Sequence, residues 1–198
     1  MSVDRAASRP RTVSRPGAPD ERELISRVSG RDLAAFEKLY RIYQPRLTRF
    51  LSNLVQRPQL VEEVLDDTMM VVWETAQSFR GTSRLSTWIF SIAYRKAIKA
   101  RTRWPDPIED QPDLGQPSPD PNPHQLLQHR RLHDALAAAM RSLSADHRAV
   151  VDLTYFHGLG YREIAEVMDC PVDTVKTRMF HARRRLRQAM PGSVSDWV

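Results

Sequence analysis

Basic side chains crowd the last quarter of this chain in a pattern suited to gripping a polyanion. Between Cys170 and Met190, Lys176, Arg178, Arg183, Arg184, Arg185 and Arg187 stand against a single acid, Asp173. Guanidinium groups carry forked donors that match phosphate oxygens and the acceptor edge of guanine. Thr177, Phe180 and His181 share the polar side of the same stretch. A solvated Arg-rich surface is the plain alternative for any basic amphipathic segment, but an aromatic ring on a charged face calls for a partner. The chemistry these residues offer is recognition, not bond making.

Two helices must position them. Val172, Val175, Met179, Ala182, Leu186 and Ala189 recur at steps of three and four, which predicts a helix with a narrow apolar stripe. Upstream, Tyr161 to Asp169 reads as a shorter helix with Ile164, Ala165 and Met168 turned inward. The connection Asp169-Cys170-Pro171 is tight, and proline suits a first helical turn because its missing N–H would be unpaired there. A short helix, a tight turn and a long basic helix make a helix-turn-helix, whose second helix enters the DNA major groove.

Composition narrows the field. The 198 residues carry a net charge of +6 and a pI near 9.9, with 41% hydrophobic residues, which favours a polyanionic partner for a folded chain. Cys170 is the single cysteine, so neither an intramolecular disulfide nor a cysteine zinc cluster is available. The six histidines are scattered, and no set of Cys, His and acid has a recognisable catalytic or metal-ligating spacing. Neither a cofactor, a metal nor an enzymatic activity is expected. No apolar run approaches the roughly 18 residues of a membrane span, and the start lacks a signal-peptide core. The expectation is a cytoplasmic protein without a membrane span.

From the start, residues 1–19 hold four arginines and three prolines and read as a disordered basic tail. Asp20 opens a helix with Leu24, Ile25 and Val28. Asp32 opens another with Leu33, Phe36, Leu39, Tyr40 and Tyr43, which Pro45 restarts or kinks before Leu47, Phe50, Leu51 and Leu54. A third begins near Pro58 and carries Glu62, Glu63, Asp66 and Asp67 on its outer face. After a break at 78–83, a fourth runs from Leu85 to about Arg103, with Leu85, Ile89, Ile92 and Ala93 inward and a basic end. Residues 104–125 form a Pro-rich acidic linker: seven prolines and five acids fall between Trp104 and Pro123, with no basic residue. Residues 126–191 then hold four further helices, with Leu132, Leu136 and Met140 in the first, Ser144 as an N-cap, and Ala149, Val150, Leu153 and Tyr155 as packing candidates. Residues 192–198 form a tail. No strand pattern appears. The expected fold class is all-α, two small helical domains joined by the linker, the C-terminal one a helix-turn-helix four-helix domain.

Taken together, the two blocks resemble the extracytoplasmic-function (ECF) sigma factors. The C-terminal block has Leu143-Ser144-Ala145-Asp146-His147-Arg148, Tyr161-Arg162-Glu163-Ile164-Ala165, Cys170 through Arg178, and Ala182-Arg183. The N-terminal block has Asp32 to Tyr43, the acidic helix ending in Trp73, Phe79-Arg80-Gly81 and Thr87-Trp88-Ile89. The resemblance spans about 150 residues in the expected order. Three positions depart from it: Ser144 stands where a proline is usual, Asp173 where a glycine is, and Arg95 where an asparagine is.

The resemblance implies a promoter-recognition subunit of bacterial RNA polymerase. Residues 20–103 would be region 2, docking on the polymerase clamp through Glu62, Glu63, Asp66 and Asp67. The same domain would handle the minus-10 element with Phe79, Arg80, Arg84, Thr87, Ser91, Tyr94, Arg95 and Lys99, cations beside aromatic rings that suit unstacked bases. Residues 126–191 would be region 4, reading the minus-35 duplex with Lys176, Thr177, Phe180 and His181 while Arg178, Arg183 and Arg184 grip phosphate. The acidic linker would thread the channel later used by RNA. The implied partners are core RNA polymerase, promoter DNA as duplex and as single strand, and an anti-sigma factor, which such proteins often have. A helix-turn-helix regulator that works without being a polymerase subunit is the rival reading. It leaves the acidic helix and the acidic linker without a purpose.

Overall fold

The computed structural model describes residues 20–55, 57–104 and 134–190. The basic N-terminal segment, the linker from residue 105, the start of the helix expected from 126 with its Leu132, and the tail 192–198, all singled out in the sequence, lie outside them. Every regular element among the described residues is helical.

Helix α1 (Glu21–Ser29) starts where the Asp20 carboxylate accepts from the backbone N–H of Arg22 at 2.9 Å. Such a cap satisfies one of the donors that a helix start leaves orphaned. Asp32 does the same for α2 (Leu33–Leu54), accepting from Ala35 N at 3.1 Å, while Arg27 clasps its other oxygen at 2.7 Å. Pro45 sits inside α2 at an exposed position, and the helix runs on through it for 22 residues. Leu33, which the periodicity placed in the stripe, is instead 70% exposed, because it occupies the first turn, before the helix meets its neighbours. Helix α3 (Pro58–Thr75) begins on its proline, and a 3-10 turn, Ala76–Ser78, follows.

Helix α4 (Leu85–Arg103) is covered on more than one side. Apolar Leu85, Ile89, Phe90, Ile92, Ala93 and Ala97 are buried, and so are the polar Ser86, Thr87 and Ser91. A lone amphipathic surface helix would leave such a polar face in water. Here α3 and α2 pack on one part of α4, and α7 packs on another.

Helix α5 is described over 134–141. Ser144 then caps α6 (Ala145–Tyr155), with His147 N donating to its hydroxyl at 3.4 Å. Helices α7 (Tyr161–Met168) and α8 (Val172–Ala189) complete this unit around Leu153, Ile164, Val167, Val175, Met179 and Ala182. Tyr155, expected among the packing residues, is 58% exposed, since the last turn of α6 extends beyond the core.

The two units share their core. Phe50 of α2, Phe90 of α4 and His157, just beyond α6, form a ring cluster with centroids 5.1, 4.4 and 6.1 Å apart. Phe50 and Phe90 are fully buried, so truncating either to alanine should cost about 3 to 5 kcal/mol.

Candidate nucleic-acid interface

The helix-turn-helix is built by local hydrogen bonds. Gly160 N donates to Glu163 Oε2 at 2.9 Å at the start of α7. Asp169 ends that helix in the left-handed region at φ 49°, and Cys170 N reaches back to Ala165 O at 3.1 Å. Asp is among the few non-glycine residues that tolerate this conformation. Pro171 is the N-cap of α8, whose Val175, Met179 and Ala182 are buried against α6 and α7. The Cys170 thiol is pushed up by burial, so it stays protonated and serves as a small filler of the turn.

The opposite face of α8 is open. Lys176, Thr177, Phe180, His181, Arg183, Arg184 and Arg185 are all exposed, Phe180 by 64%. The Phe180 and His181 rings meet edge to face at 5.5 Å, and Arg183 Nε donates to the Tyr155 hydroxyl at 3.1 Å. The exposed Tyr155 thus orients an arginine on the open side of α8. Lys176 holds Asp173 at 2.8 Å, and that hydrogen bond keeps the Asp173 carboxyl below its ordinary range. Arg178 differs from its neighbours on the helix. It turns inward to Asp146 at 2.5 Å and toward the Cys170 sulfur at 3.7 Å, tying α8 to α6.

His147 lies beside this face, its Nδ1 3.0 Å from the Ser144 hydroxyl and its ring 6.3 Å from that of His181. Partial burial, with His181 next in weight, holds its pKa below the usual 6.5.

The acids of α3 are exposed as a strip of four. Asp66 accepts from the Tyr40 hydroxyl at 3.1 Å, and Asp67 pairs with Lys96 of α4 at 2.9 Å. Glu62 and Glu63 lie one turn earlier at the same surface.

The residues expected at the minus-10 element divide into two sets. Arg80, Arg84, Arg95 and Lys99 are exposed, and Phe79 packs on Trp88 at 5.4 Å. Thr87, Ser91 and Tyr94 are 1%, 8% and 8% exposed. Carboxylates of the second unit meet the covered set: Thr87 Oγ1 donates to Glu163 Oε1 at 3.3 Å, and the Tyr94 hydroxyl donates to Asp146 Oδ1 at 3.0 Å. Burial first, then Asp146, pushes the Tyr94 phenol well up, so it remains a donor. Arg84 Nε lies 3.4 Å from Glu163 Oε1.

A second polar junction, not foreseen in the sequence, lies beyond the ring cluster. Asp152 of α6 is fully buried and accepts from Asn53 Nδ2 of α2 at 2.8 Å. Arg49 Nε stands 3.8 Å from the same carboxylate, its guanidinium 3.5 Å over the Phe156 ring. His157 Nε2 is 3.0 Å from Asp152 Oδ2, a contact that does not reach hydrogen-bond geometry. The signal available in sequence was an acid within the apolar run Val150-Val151-Asp152-Leu153.

A short helix, a tight turn and a long helix with an open basic face define a helix-turn-helix unit of the DNA-binding kind. The Sigma-70 region 2 family matches residues 39–104, and the Sigma-70, region 4 family matches residues 133–186. An ECF RNA polymerase sigma-E factor of Escherichia coli (strain K12) is 32% identical over 173 residues, covering 82% of this chain and 90% of that protein. The Haemophilus influenzae factor of the same description is 30% identical over 177 residues, covering 84% and 93%. Two solved structures share the fold. CnrH in complex with the cytosolic domain of CnrY has a TM-score of 0.61 at 21% identity, covering 84% of this chain and 94% of that one. The sigma factor RpoE in complex with the anti-sigma factor NepR from Bartonella quintana has a TM-score of 0.59 at 24% identity, covering 78% and 95%. The chain belongs to the ECF RNA polymerase sigma factors. It therefore directs promoter recognition and transcription initiation by RNA polymerase. Among the described residues no helix is long and apolar enough to cross a membrane.

Proposed function

We propose that this sigma factor divides promoter recognition between α8 and α4 and holds core polymerase with α3. Lys176, Thr177, Phe180 and His181 read the minus-35 duplex, while Arg183 and Arg184 grip its phosphates. The observation that carries this reading is the open face of α8, where a 64%-exposed phenylalanine stands among cations. Phe79, Arg80, Arg84, Thr87, Ser91, Tyr94, Arg95 and Lys99 take the separated minus-10 strand. Glu62, Glu63, Asp66 and Asp67 would repel DNA, so they face a basic protein surface on the polymerase clamp.

The domain assignment follows the same division: region 2 over 20–103, region 4 over 126–191, and the acidic linker 104–125 in the channel that RNA later occupies. Polymerase carries out the chemistry, and the sigma factor works in the cytoplasm without catalytic residues or a cofactor of its own. RpoE was captured with the anti-sigma factor NepR and CnrH with the cytosolic domain of CnrY, and an anti-sigma partner is proposed here too.

Reconstituted transcription with core polymerase, followed by promoter mapping, tests the whole reading. Run-off product from a promoter with defined minus-35 and minus-10 elements is the expected result. Tight, sequence-specific DNA binding by the free protein, with no transcription on adding core enzyme, would favour a stand-alone regulator instead.

A further inference from the structure

We infer that the Tyr155 hydroxyl and the Arg183 guanidinium form one phosphate seat on the minus-35 duplex, so that α6 holds the DNA backbone together with α8. The inference rests on the assignment of Arg183 to a backbone phosphate and adds a second helix and an uncharged donor to it. Three observations carry it.

First, the two groups are joined in a way that leaves both with donors to spare. Arg183 Nε donates to the Tyr155 hydroxyl oxygen at 3.1 Å, and both residues are exposed, Tyr155 by 58%. A guanidinium carries donors on each of its nitrogens, and a phenol both accepts and donates. With Nε engaged, the terminal N–H groups of Arg183 stay available. The phenol proton stays available too, because the hydroxyl takes part in this bond as acceptor. The unesterified oxygens of a phosphodiester can then accept from the guanidinium and from the phenol together.

Second, neither donor is spent on an acid. The hydroxyls of Tyr40, Tyr43 and Tyr94 donate to Asp66, Glu21 and Asp146 at 3.1, 3.0 and 3.0 Å. Among the described residues, Tyr155 and Arg183 have no carboxylate partner. Lys176 and Arg178 of the same helix are held by Asp173 and Asp146. The pair presents positive charge and hydrogen-bond donors with no internal anion, which is the complement of a phosphate.

Third, the surroundings suit an anion better than an apolar partner. Phe156 is also exposed, but the Arg49 guanidinium lies 3.5 Å over its ring, and that of Arg183 lies 5.8 Å from the centre of the Tyr155 ring. The exposed aromatics at the end of α6 thus each carry a cation instead of joining into an apolar patch. Holding Arg183 before DNA arrives also reduces the freedom it must lose on binding. Tyr155 is therefore a positioning residue for Arg183 as well as a contact.

The test uses holoenzyme reconstituted from core polymerase and each variant of the full chain, bound to a duplex that carries the minus-35 element. Tyr155→Phe keeps the ring and removes only the hydroxyl, at an exposed position. It should weaken binding by about three- to tenfold. The factor should be the same at low and high salt, because an uncharged hydroxyl releases no counterion. Arg183→Ala should instead lower the slope of log affinity against log salt by about one unit. Both variants should keep the wild-type preference in minus-35 sequence. Duplexes with one phosphate at a time replaced by methylphosphonate locate the seat. At one position the replacement should cost the wild type more than it costs either variant, a coupling that a mere tie between α6 and α8 does not produce.

Tyr155→Phe bound like the wild type, with Arg183→Ala weakened and its slope reduced, would overturn the seat and leave the Arg183 assignment standing. Arg183→Ala with unaltered affinity and slope would overturn that assignment, and the seat with it. A loss in Tyr155→Phe that couples to no phosphate position would reduce the hydroxyl to a brace between helices, and the seat would be withdrawn. A shifted minus-35 preference in Tyr155→Phe would place the hydroxyl on a base and overturn the seat as well.

Discussion

Tyr94 and Asp146, fifty-two positions apart, share a hydrogen bond of 3.0 Å, and the second oxygen of that carboxylate holds Arg178 at 2.5 Å. One acid therefore joins α4, α6 and α8. Tyr94→Phe deletes the hydroxyl and little else. The expected loss is about 1 kcal/mol of stability, and it should disappear in an Asp146→Ala background. Urea unfolding of the four chains in a double-mutant cycle measures the coupling, and strictly additive losses would deny it.

Arg178 and Arg184 are separated by the same geometry. Arg184→Ala should weaken DNA binding across all sequences and lower the dependence of log affinity on log salt by about one unit. Arg178→Ala should leave that slope nearly intact and lower the melting temperature instead, because its guanidinium serves Asp146. Salt titrations of both variants on one duplex make the comparison.

Phe180→Ala and His181→Ala should change which minus-35 sequence is preferred. Selection from a promoter library randomised over that element, with holoenzyme, provides the readout. An unchanged preferred sequence would withdraw both residues from base reading.

Reversal of Glu62 and Glu63 to lysine should abolish co-purification with core polymerase while the circular dichroism of the chain stays that of wild type. Asp67→Lys is a less clean probe. It also sets two ammonium groups together at the position where Lys96 now pairs at 2.9 Å.

His147 confers a pH dependence whose sign follows from its lowered pKa. Burial and His181 oppose its protonation in the folded chain, so the unfolded chain binds the proton more readily. Its contribution is complete above the ordinary value of 6.5 and is lost as the pH falls below it. His147→Asn should narrow the drop in melting temperature between neutral and mildly acidic buffer. A drop equal to that of the wild type would assign the sensitivity elsewhere.

Much of this site was legible in the residues themselves. The stripe Val175, Met179, Ala182 could bury only one face of α8, so Phe180 and the arginines had to lie outside it. Tyr155 and Leu33 were misplaced because periodicity cannot tell where an element outruns its core. Thr87, Ser91 and Tyr94 were legible as one face of α4, but nothing local states what covers that face. The answer lies in Asp146 and Glu163, acids more than fifty positions away, each ordinary in its own helix. Asp152, which meets α2 instead, carried a hint of its burial in the apolar run around it.

If α8 reads a duplex as proposed, Asp173 bears on the direction from which that duplex is held. The start of a helix is where bare backbone N–H groups alone can seat a phosphate. At the start of α8 that seat is already shadowed by a carboxylate, 89% exposed at its side chain and kept ionised by Lys176. The neighbouring lysine is engaged by the same pair. On the proposed reading the sugar-phosphate rail is clamped from the far half of the helix, by Arg183 and Arg184. The near end touches bases with Lys176, Thr177, Phe180 and His181. On that reading the helix is a lever pinned at its tail, and small changes in tilt at that tail move the reading tip furthest.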